Sequence, residues 1–416
     1  MASVDFFDAA EVRDPAEREA GLMAALSQIV AAAQRGAPAY RDRLSGVRAE
    51  AIDSREALAS LPLTRKSELI ELQRRNRPFG GFTAVPTTQL ARVFASPGPI
   101  YEIEARRRDF FRMARALFAA GFRAGDLIHN TFSYHLTPAG AMLESAALAL
   151  GCPVIPAGTG QTEQQLTVIT DLRPVGYVGT PSFLKILLDR AAESGADITS
   201  LTKALVGAEA FPAVLREEFR ARGIAALQCY GTADLGLIAY ETTAAGGAPC
   251  EGMIIDEGII VEIVEPGSGV PMAPGEIGEV VVTTLSPEYP LIRFATGDLS
   301  ALLVEPSPCG RTNQRIKGWL GRADQSAKVR GMFVHPSQIV EVLKRHPAVG
   351  RGRLVIERPA SADVMTLMVE TADPEEARAV AATAQAVTKL RTDVSCVPCG
   401  SLPQDGRLID DRRPIA

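Results

Sequence analysis

Three residue types in this chain could do chemistry. The six cysteines could supply thiolates, the nucleophilic and metal-binding form of the side chain. Cys396-x-x-Cys399 has the spacing of half a zinc site, and Cys250 with Cys309 makes a second pair. A structural zinc takes four ligands at tight spacing. Only pairs are visible, so no metal is assigned, and cysteines this scattered are not a disulfide framework. Two carboxylates sit in glycine-containing runs, Asp234 after Tyr230-Gly231-Thr232-Ala233 and Asp298 after Thr296-Gly297. Taken alone, the first could cap a helix and the second close a turn. Lys328 and Arg330, in Lys328-Val329-Arg330-Gly331, read as surface charges unless their surroundings give them a role.

These residues must be positioned by the elements around them. Apolar residues at Leu22, Ala25, Leu26, Ile29, Val30 and Ala33 recur at three- and four-residue steps, the spacing of an amphipathic helix from Pro15 to Gln34. Asp14 caps it, Pro15 fits its first turn and Gly36 stops it. Thr64 and Ser67, in the run from Leu61 to Glu68, read as further helix caps. Between Gly125 and Pro212 short apolar strands alternate with helices, the pattern of βαβ units and a mostly parallel sheet. Leu127–Ile128, Pro153–Pro156 and Gly176–Val178 are the strands; Gly140–Leu150 and Thr162–Leu172 are the helices.

After Tyr240 the character changes. Ile254–Ile255, Gly258–Val264, Gly278–Thr284 and Leu299–Val304 are short β-rich runs between Pro/Gly turns, expected to form antiparallel hairpins in a small barrel or sheet. A last segment mixes strands (Arg353–Ile356, Met365–Val369) with helices (Ser337–Arg345, Pro374–Leu390) and reads as a separate lid. The expected fold class is α/β: a large N-terminal domain of mostly parallel βαβ sheets with a small β-rich barrel-like subdomain (1–321), and a small α+β C-terminal lid domain (322–416).

Composition sets the outer limits. With 416 residues and 46% hydrophobic side chains the chain can bury a large core, and its length suggests two or three domains at about 150 residues each. A net charge of -5 argues against nucleic acid as a partner. The start lacks a basic region followed by an apolar stretch, and Glu144 interrupts the best apolar run, so neither a secretory signal nor a membrane span is expected. A cytoplasmic protein is the expectation.

Several stretches, in colinear order from about residue 15 to 410, resemble the adenylate-forming superfamily and most closely its phenylacetate–CoA ligase branch. They are Leu61–Glu68 with Arg77-Pro78-Phe79-Gly80-Gly81-Phe82, His129–Tyr134, Gly158–Glu163 and Gly207-Ala208-Glu209. Further along come Tyr230–Asp234, Tyr289–Asp298, and Gly321–Asp324 with Lys328–Gly331 and Pro336–Ile339. The resemblance implies an acyl pocket and a nucleotide site in the large domain, and a lid that rotates about a hinge at Asp324. It implies that Asp298 binds ribose hydroxyls and that Asp234 stands where the family has a magnesium-binding Glu. Gly207, Ala208 and Glu209 with Tyr230, Gly231 and Thr232 would bracket the adenine and the acyl end. Phe132, Tyr134 and His135 would wall the acyl pocket. Arg293 and Arg322 would serve the nucleotide or CoA, and Lys328, Arg330 and Gly331 would line the pantetheine tunnel.

The chain departs from the family at two places. The phosphate-gripping loop, of the form SSGTTGKP, is replaced by Ser96-Pro97-Gly98-Pro99-Ile100-Tyr101-Glu102. Two prolines remove backbone N–H donors, the Thr hydroxyls and the lysine are gone, and Glu102 adds a like charge. Near the C-terminus, Leu402-Pro403-Gln404-Asp405-Gly406-Arg407 carries an arginine where the family has its adenylating lysine. Arg is no simple substitute for a compact ammonium in a tight site. The expectation is therefore an ATP-independent acyltransferase that takes an aryl group from a CoA thioester and passes it to the phosphopantetheine thiol of an acyl carrier protein. Cys229 would be a ping-pong nucleophile, with His129 or His135 stabilising its thiolate. One alternative is an ATP- and magnesium-dependent aryl-CoA ligase in which Arg92, Arg106–Arg108 or Lys328 replaces the lost lysine. The other is a non-catalytic acyl-CoA- or nucleotide-binding protein. A homodimer is left open.

Overall fold

The computed structural model describes residues 5–323, 327–330, 332–334, 336–359, 362–403 and 407–414. The chain divides into two compact units, Met1–Leu320 and Gly321–Ala416. The suspected hinge residue Asp324, the tunnel residue Gly331 and the segment 404–406 lie outside the described residues.

The first helix, Pro15–Gly36, starts as its sequence dictates: the Asp14 carboxylate accepts from the amides of Ala16 and Glu17, and Pro15 occupies the first turn. Thr64 and Ser67 do not cap helices. Thr64–Arg65 is a short strand parallel to Phe294–Ser300, and the helix Leu69–Arg75 begins without a side-chain cap. Pairing to a buried strand overrides a local capping preference worth only about 1 kcal/mol.

A nine-stranded sheet forms the centre of the first unit. Five of its strands are parallel, in the spatial order Val154–Pro156, Ile128–Asn130, Gly176–Gly179, Lys203–Val206 and Ala225–Thr232. Helices such as Ala139–Leu150, Thr162–Leu172 and Pro181–Ser194 connect them, giving the expected βαβ alternation. Leu184, Leu187, Leu188 and Phe219 seal helices to the sheet. From Ala225–Thr232 outward the pairing turns antiparallel, through Gly236–Tyr240 and Met253–Ile255. Ile254–Ile255 therefore extends the large sheet and does not belong to the small β subdomain.

That subdomain is built from Ile259–Val264, Gly278–Thr284 and Phe294–Ser300, all antiparallel. The last strand begins five residues before the expected Leu299, because Phe294, Ala295 and Thr296 are buried and pair with the central strand. Asp298 thus sits within a strand and closes no turn. A separate hairpin joins Leu90–Ser96 to Ile100–Ala105, paired up to Ser96 and Ile100, so that only Pro97-Gly98-Pro99 form its tip.

The second unit holds a four-stranded sheet in the order Asp393–Val397, Val364–Glu370, Gly352–Glu357, Ile409–Asp411, with helices Pro336–Lys344 and Pro374–Thr388. Its core gathers Val342, Leu354, Ile356, Leu367, Val369 and Val380. No helix among the described residues is long and apolar enough to cross a membrane.

Candidate active site

The strand ends of the large sheet and the small β subdomain bring together a nucleotide-type corner. Asp298 is 7% exposed. Its Oδ2 accepts from the Tyr230 hydroxyl at 2.8 Å and its Oδ1 from Trp319 Nε1 at 3.1 Å. Its own amide donates to Thr296 Oγ1. Tyr230 reaches Asp298 because it lies on Ala225–Thr232, at the seam where pairing changes from parallel to antiparallel. Trp319 is the sole tryptophan in the chain and precedes the end of the first unit, a position that no motif marks.

A second cluster lies at the base of the hairpin. Lys66 Nζ contacts Asp234 Oδ2, and Ser96 Oγ donates to Glu102 Oε1. Glu102 is fully buried, Asp234 is 4% exposed, and Tyr289 beside them is 2% exposed. Burial, and then the charge of Asp234, push the Glu102 carboxyl up to about 8, so it holds a proton at neutral pH. Two buried atoms here have no hydrogen-bond partner, Asp234 Oδ1 and the Tyr289 hydroxyl. The lone pair on Asp234 Oδ1 fits a hard cation such as magnesium. The hairpin tip does not fit a triphosphate: it carries neither a cation nor a side-chain hydroxyl, and prolines stand at two of its three positions. Lys66 is the ammonium the structure does place in this cluster. It stands in the run Leu61–Glu68, where the spacing suggested only a helix start.

The expected thiol chemistry does not assemble. Cys229 is buried, its sulfur 3.1 Å from where a side chain on Gly207 would begin. Burial and the nearby Glu241 push its thiol up to about 12, the reverse of an activated nucleophile. His129 lies on Ile128–Asn130, three strands away from Ala225–Thr232, a separation of about 14 Å at the usual strand spacing. It is fully buried, and its Nε2 bonds Gln165 Oε1 at 2.7 Å. Gln165 in turn donates to the carbonyls of Gly158 and Gly160. His129 is therefore a positioning residue for the Gly158–Gly160 loop, and burial lowers the pKa of its imidazole. His135 is exposed, on the loop after Ser133.

Other expected residues divide similarly. Phe132 is buried, and the Tyr134 hydroxyl accepts from Asn130 Nδ2 at 2.7 Å, which fixes the ring. Ala208 adopts φ +68 and is exposed at the end of Lys203–Val206, where the Glu209 carbonyl accepts from Gln228. Gly231 has no room for a side chain, because a Cβ would come within 2.5 Å of the Gly236 carbonyl. Thr232 Oγ1 accepts from the Leu235 amide, which leads the chain into the turn bearing Asp234.

Arg293 is no ligand-binding residue. Its guanidinium is buried and bonds Glu262 and the carbonyls of Ala59, Leu61 and Gly269. The arginines expected to replace the lost lysine are engaged elsewhere as well. Arg92 pairs with Glu104, Arg106 donates to the Leu90 carbonyl, Arg107 to Ser286, and Arg108 to the carbonyls of Leu148 and Ala149. In the second unit Arg330 is exposed and donates to the Asp363 carbonyl, Lys328 lies on the strand Ala327–Val329, and Arg322 on Gly321–Arg322. Cys250 and Cys309 are buried, Cys396 and Cys399 exposed, and all are free thiols. Among the described residues no three His, Cys, Asp or Glu side chains cluster as a metal site would require.

Residues 109–286 match the family model for AMP-binding enzymes. The phenylacetate–coenzyme A ligase of Thermus thermophilus is 33% identical over 366 residues, covering 84% of this chain and 80% of that protein. This chain belongs to the phenylacetate–CoA ligase-like branch of the adenylate-forming superfamily. The Escherichia coli phenylacetate–coenzyme A ligase is 32% identical over 394 residues, with 88% of each chain covered. Among solved structures, a 2-hydroxyisobutyryl-CoA ligase in complex with 2-HIB-AMP and CoA superposes with a TM-score of 0.85 at 25% identity, covering 98% of this chain and 92% of that one. The protein is thus an enzyme of the adenylate-forming superfamily with the mixed α/β fold expected of it.

Proposed function

We propose that this member of the family is an acyl-CoA ligase, joining a small, aryl-type carboxylic acid to CoA at the expense of ATP. The observation that supports this reading is the Asp298 corner, where Tyr230 and Trp319 hold by hydrogen bonds the carboxylate that would bind a ribose diol. ATP, when bound, supplies the activation energy for the acid. Asp298 orients the nucleoside, Asp234 Oδ1 offers an oxygen ligand to magnesium, Lys66 places an ammonium beside it, and Phe132 with the fixed Tyr134 ring walls off water from the acyl end. That Cys229 and His129 form no dyad favours the same reading, because a ping-pong exchange between two pantetheine thiols would pass through an enzyme nucleophile and Cys229 is not activated as one.

A second reading, ATP-independent transfer of an aryl group from CoA to a carrier-protein thiol, is favoured by the Pro97-Gly98-Pro99 tip and the buried Glu102. One experiment separates the two. The purified protein is incubated with aryl acids, ATP, magnesium and CoA in one arm. In the other it receives aryl-CoA thioesters and a holo carrier protein without ATP. The ligase reading expects new aryl-CoA in the first arm. Carrier acylation in the second arm, with no product in the first, would overturn it in favour of the transferase.

A further inference from the structure

The hairpin that carries Pro97-Gly98-Pro99 is braced from outside and stapled from within. Gln73, buried on the helix Leu69–Arg75, pairs its side-chain amide with the backbone of Tyr101. Its Nε2 donates to the Tyr101 carbonyl at 2.8 Å, and its Oε1 accepts from the Tyr101 amide at 2.8 Å. The tip packs on the same helix, since a Cβ on Gly98 would stand 3.2 Å from Ile70 Cδ1. Inside the hairpin, the Glu102 carboxyl accepts from the Ser96 amide at 3.3 Å and from the Ser96 hydroxyl. Both donors of Ser96, the residue that leads into the tip, are thus spent on Glu102. Of the three tip residues only Gly98 has a backbone N–H. The cations nearest in the chain and in the cluster are engaged as well: Arg92 pairs with Glu104 at 2.7 Å, and Lys66 Nζ is held by Asp234.

A site prefers ATP over AMP only by what it offers the two outer phosphates, because the base, the ribose and the first phosphate are common to both. Each hydrogen bond to a charged phosphate oxygen is worth about tenfold or more in affinity, so a loop that makes several favours ATP by about a hundredfold or more. This hairpin offers one amide, and its bracing keeps it from wrapping further donors around a ligand. We propose that the nucleotide site selects the nucleoside monophosphate part of its ligand, so that AMP binds on equal terms with ATP and restrains the enzyme as a competing product. The inference rests on the ligase reading of the Asp298 corner and supplies the regulation of that site. Turnover then follows the ratio of ATP to AMP rather than the level of ATP alone.

Isothermal titration of the full-length protein with AMP and with ATP, both in magnesium buffer, tests this without any turnover. ATP should bind no more than about tenfold more tightly than AMP, and Asp298→Ala should weaken both by the same factor. The unaltered protein decides the comparison by itself, so a folding defect in the variant does not mask it. In the ligase assay AMP should compete with ATP, with an inhibition constant no more than about tenfold above the KM for ATP. ATP binding beyond that tenfold margin would overturn the inference and leave the ligase reading standing. Binding of neither nucleotide would overturn both. Equal binding of the two with no aryl-CoA formed would uphold the preference for the monophosphate part and strike the ligase reading alone.

Discussion

The Asp298 corner and the hairpin tip lie in the same unit and would face the same nucleotide, yet sequence has treated them differently. At the corner, a strand residue, a tyrosine from the large sheet and a lone tryptophan converge on one carboxylate. At the tip, three residues close a hairpin, and the Glu102 carboxyl behind them is buried with its pKa pushed up to about 8. Under the proposed ligase reading, the contrast makes recognition of the nucleoside and recognition of its phosphates separable parts of the fold. The first rests on long-range contacts between buried strands. The second rests on one loop, which changes without disturbing the core.

The largest expected effect tests the corner. Asp298→Ala should lower kcat/KM for aryl-CoA formation by about 10²–10³, the usual loss for one preorganised active-site group, and Asp298→Asn should recover little of it. A loss below fivefold in steady-state assays would remove the corner from the reaction.

Glu102 tests the tip. Its carboxyl titrates near 8 in the folded protein, against about 4.3 when unfolded. The folded state therefore holds the extra proton between those values, and stability falls as pH rises through that window. Glu102→Gln removes the titration and should gain on the order of 2–4 kcal/mol over the unaltered protein above pH 8, with little difference near pH 4. Parallel melting curves for the two proteins from pH 5 to 9 would show that Glu102 is ionised throughout.

Smaller effects sharpen the comparison. Tyr230→Phe removes one donor from Asp298 and should cost about tenfold in kcat/KM, with the fold unchanged by circular dichroism. Cys229→Ala should leave turnover within about twofold, since a buried thiol with a raised pKa takes no part. Intact mass after incubation with aryl-CoA should show no acyl adduct on either protein. An adduct that disappears in Cys229→Ala would restore the ping-pong route.

Much of this was legible in the sequence, and the reasons for the rest are physical. Alternating short apolar runs and helices between Gly125 and Pro212 disclosed the parallel sheet, because each strand there is buried by its own connecting helix. Asp14-Pro15 marked the first helix by local chemistry alone. The colinear motifs disclosed the family, and the comparisons bear that out. Tertiary pairing was less visible: Ile254–Ile255 joined the larger sheet, and Thr64 became a strand. Residue type also hid side-chain commitments. Arg293 sits in a motif, yet its guanidinium is consumed by Glu262 and three carbonyls. Cys229 and His129 looked like a dyad because sequence does not report that two strands lie between them. Trp319 had no motif at all, and only the fold brings it to Asp298.

The hairpin bearing Pro97-Gly98-Pro99 also works as a socket. Its strands stay paired up to Ser96 and Ile100, so whatever joins those two residues is anchored by a ladder that does not depend on the tip. Lengthening a three-residue link to about nine costs roughly 1 kcal/mol of loop-closure entropy, a small fraction of the stability of a domain this size. A longer glycine-, threonine- and lysine-bearing segment could be transplanted there without recasting the enzyme. A lineage could also have traded such a segment away in a single deletion, leaving the scaffold ready to accept it back.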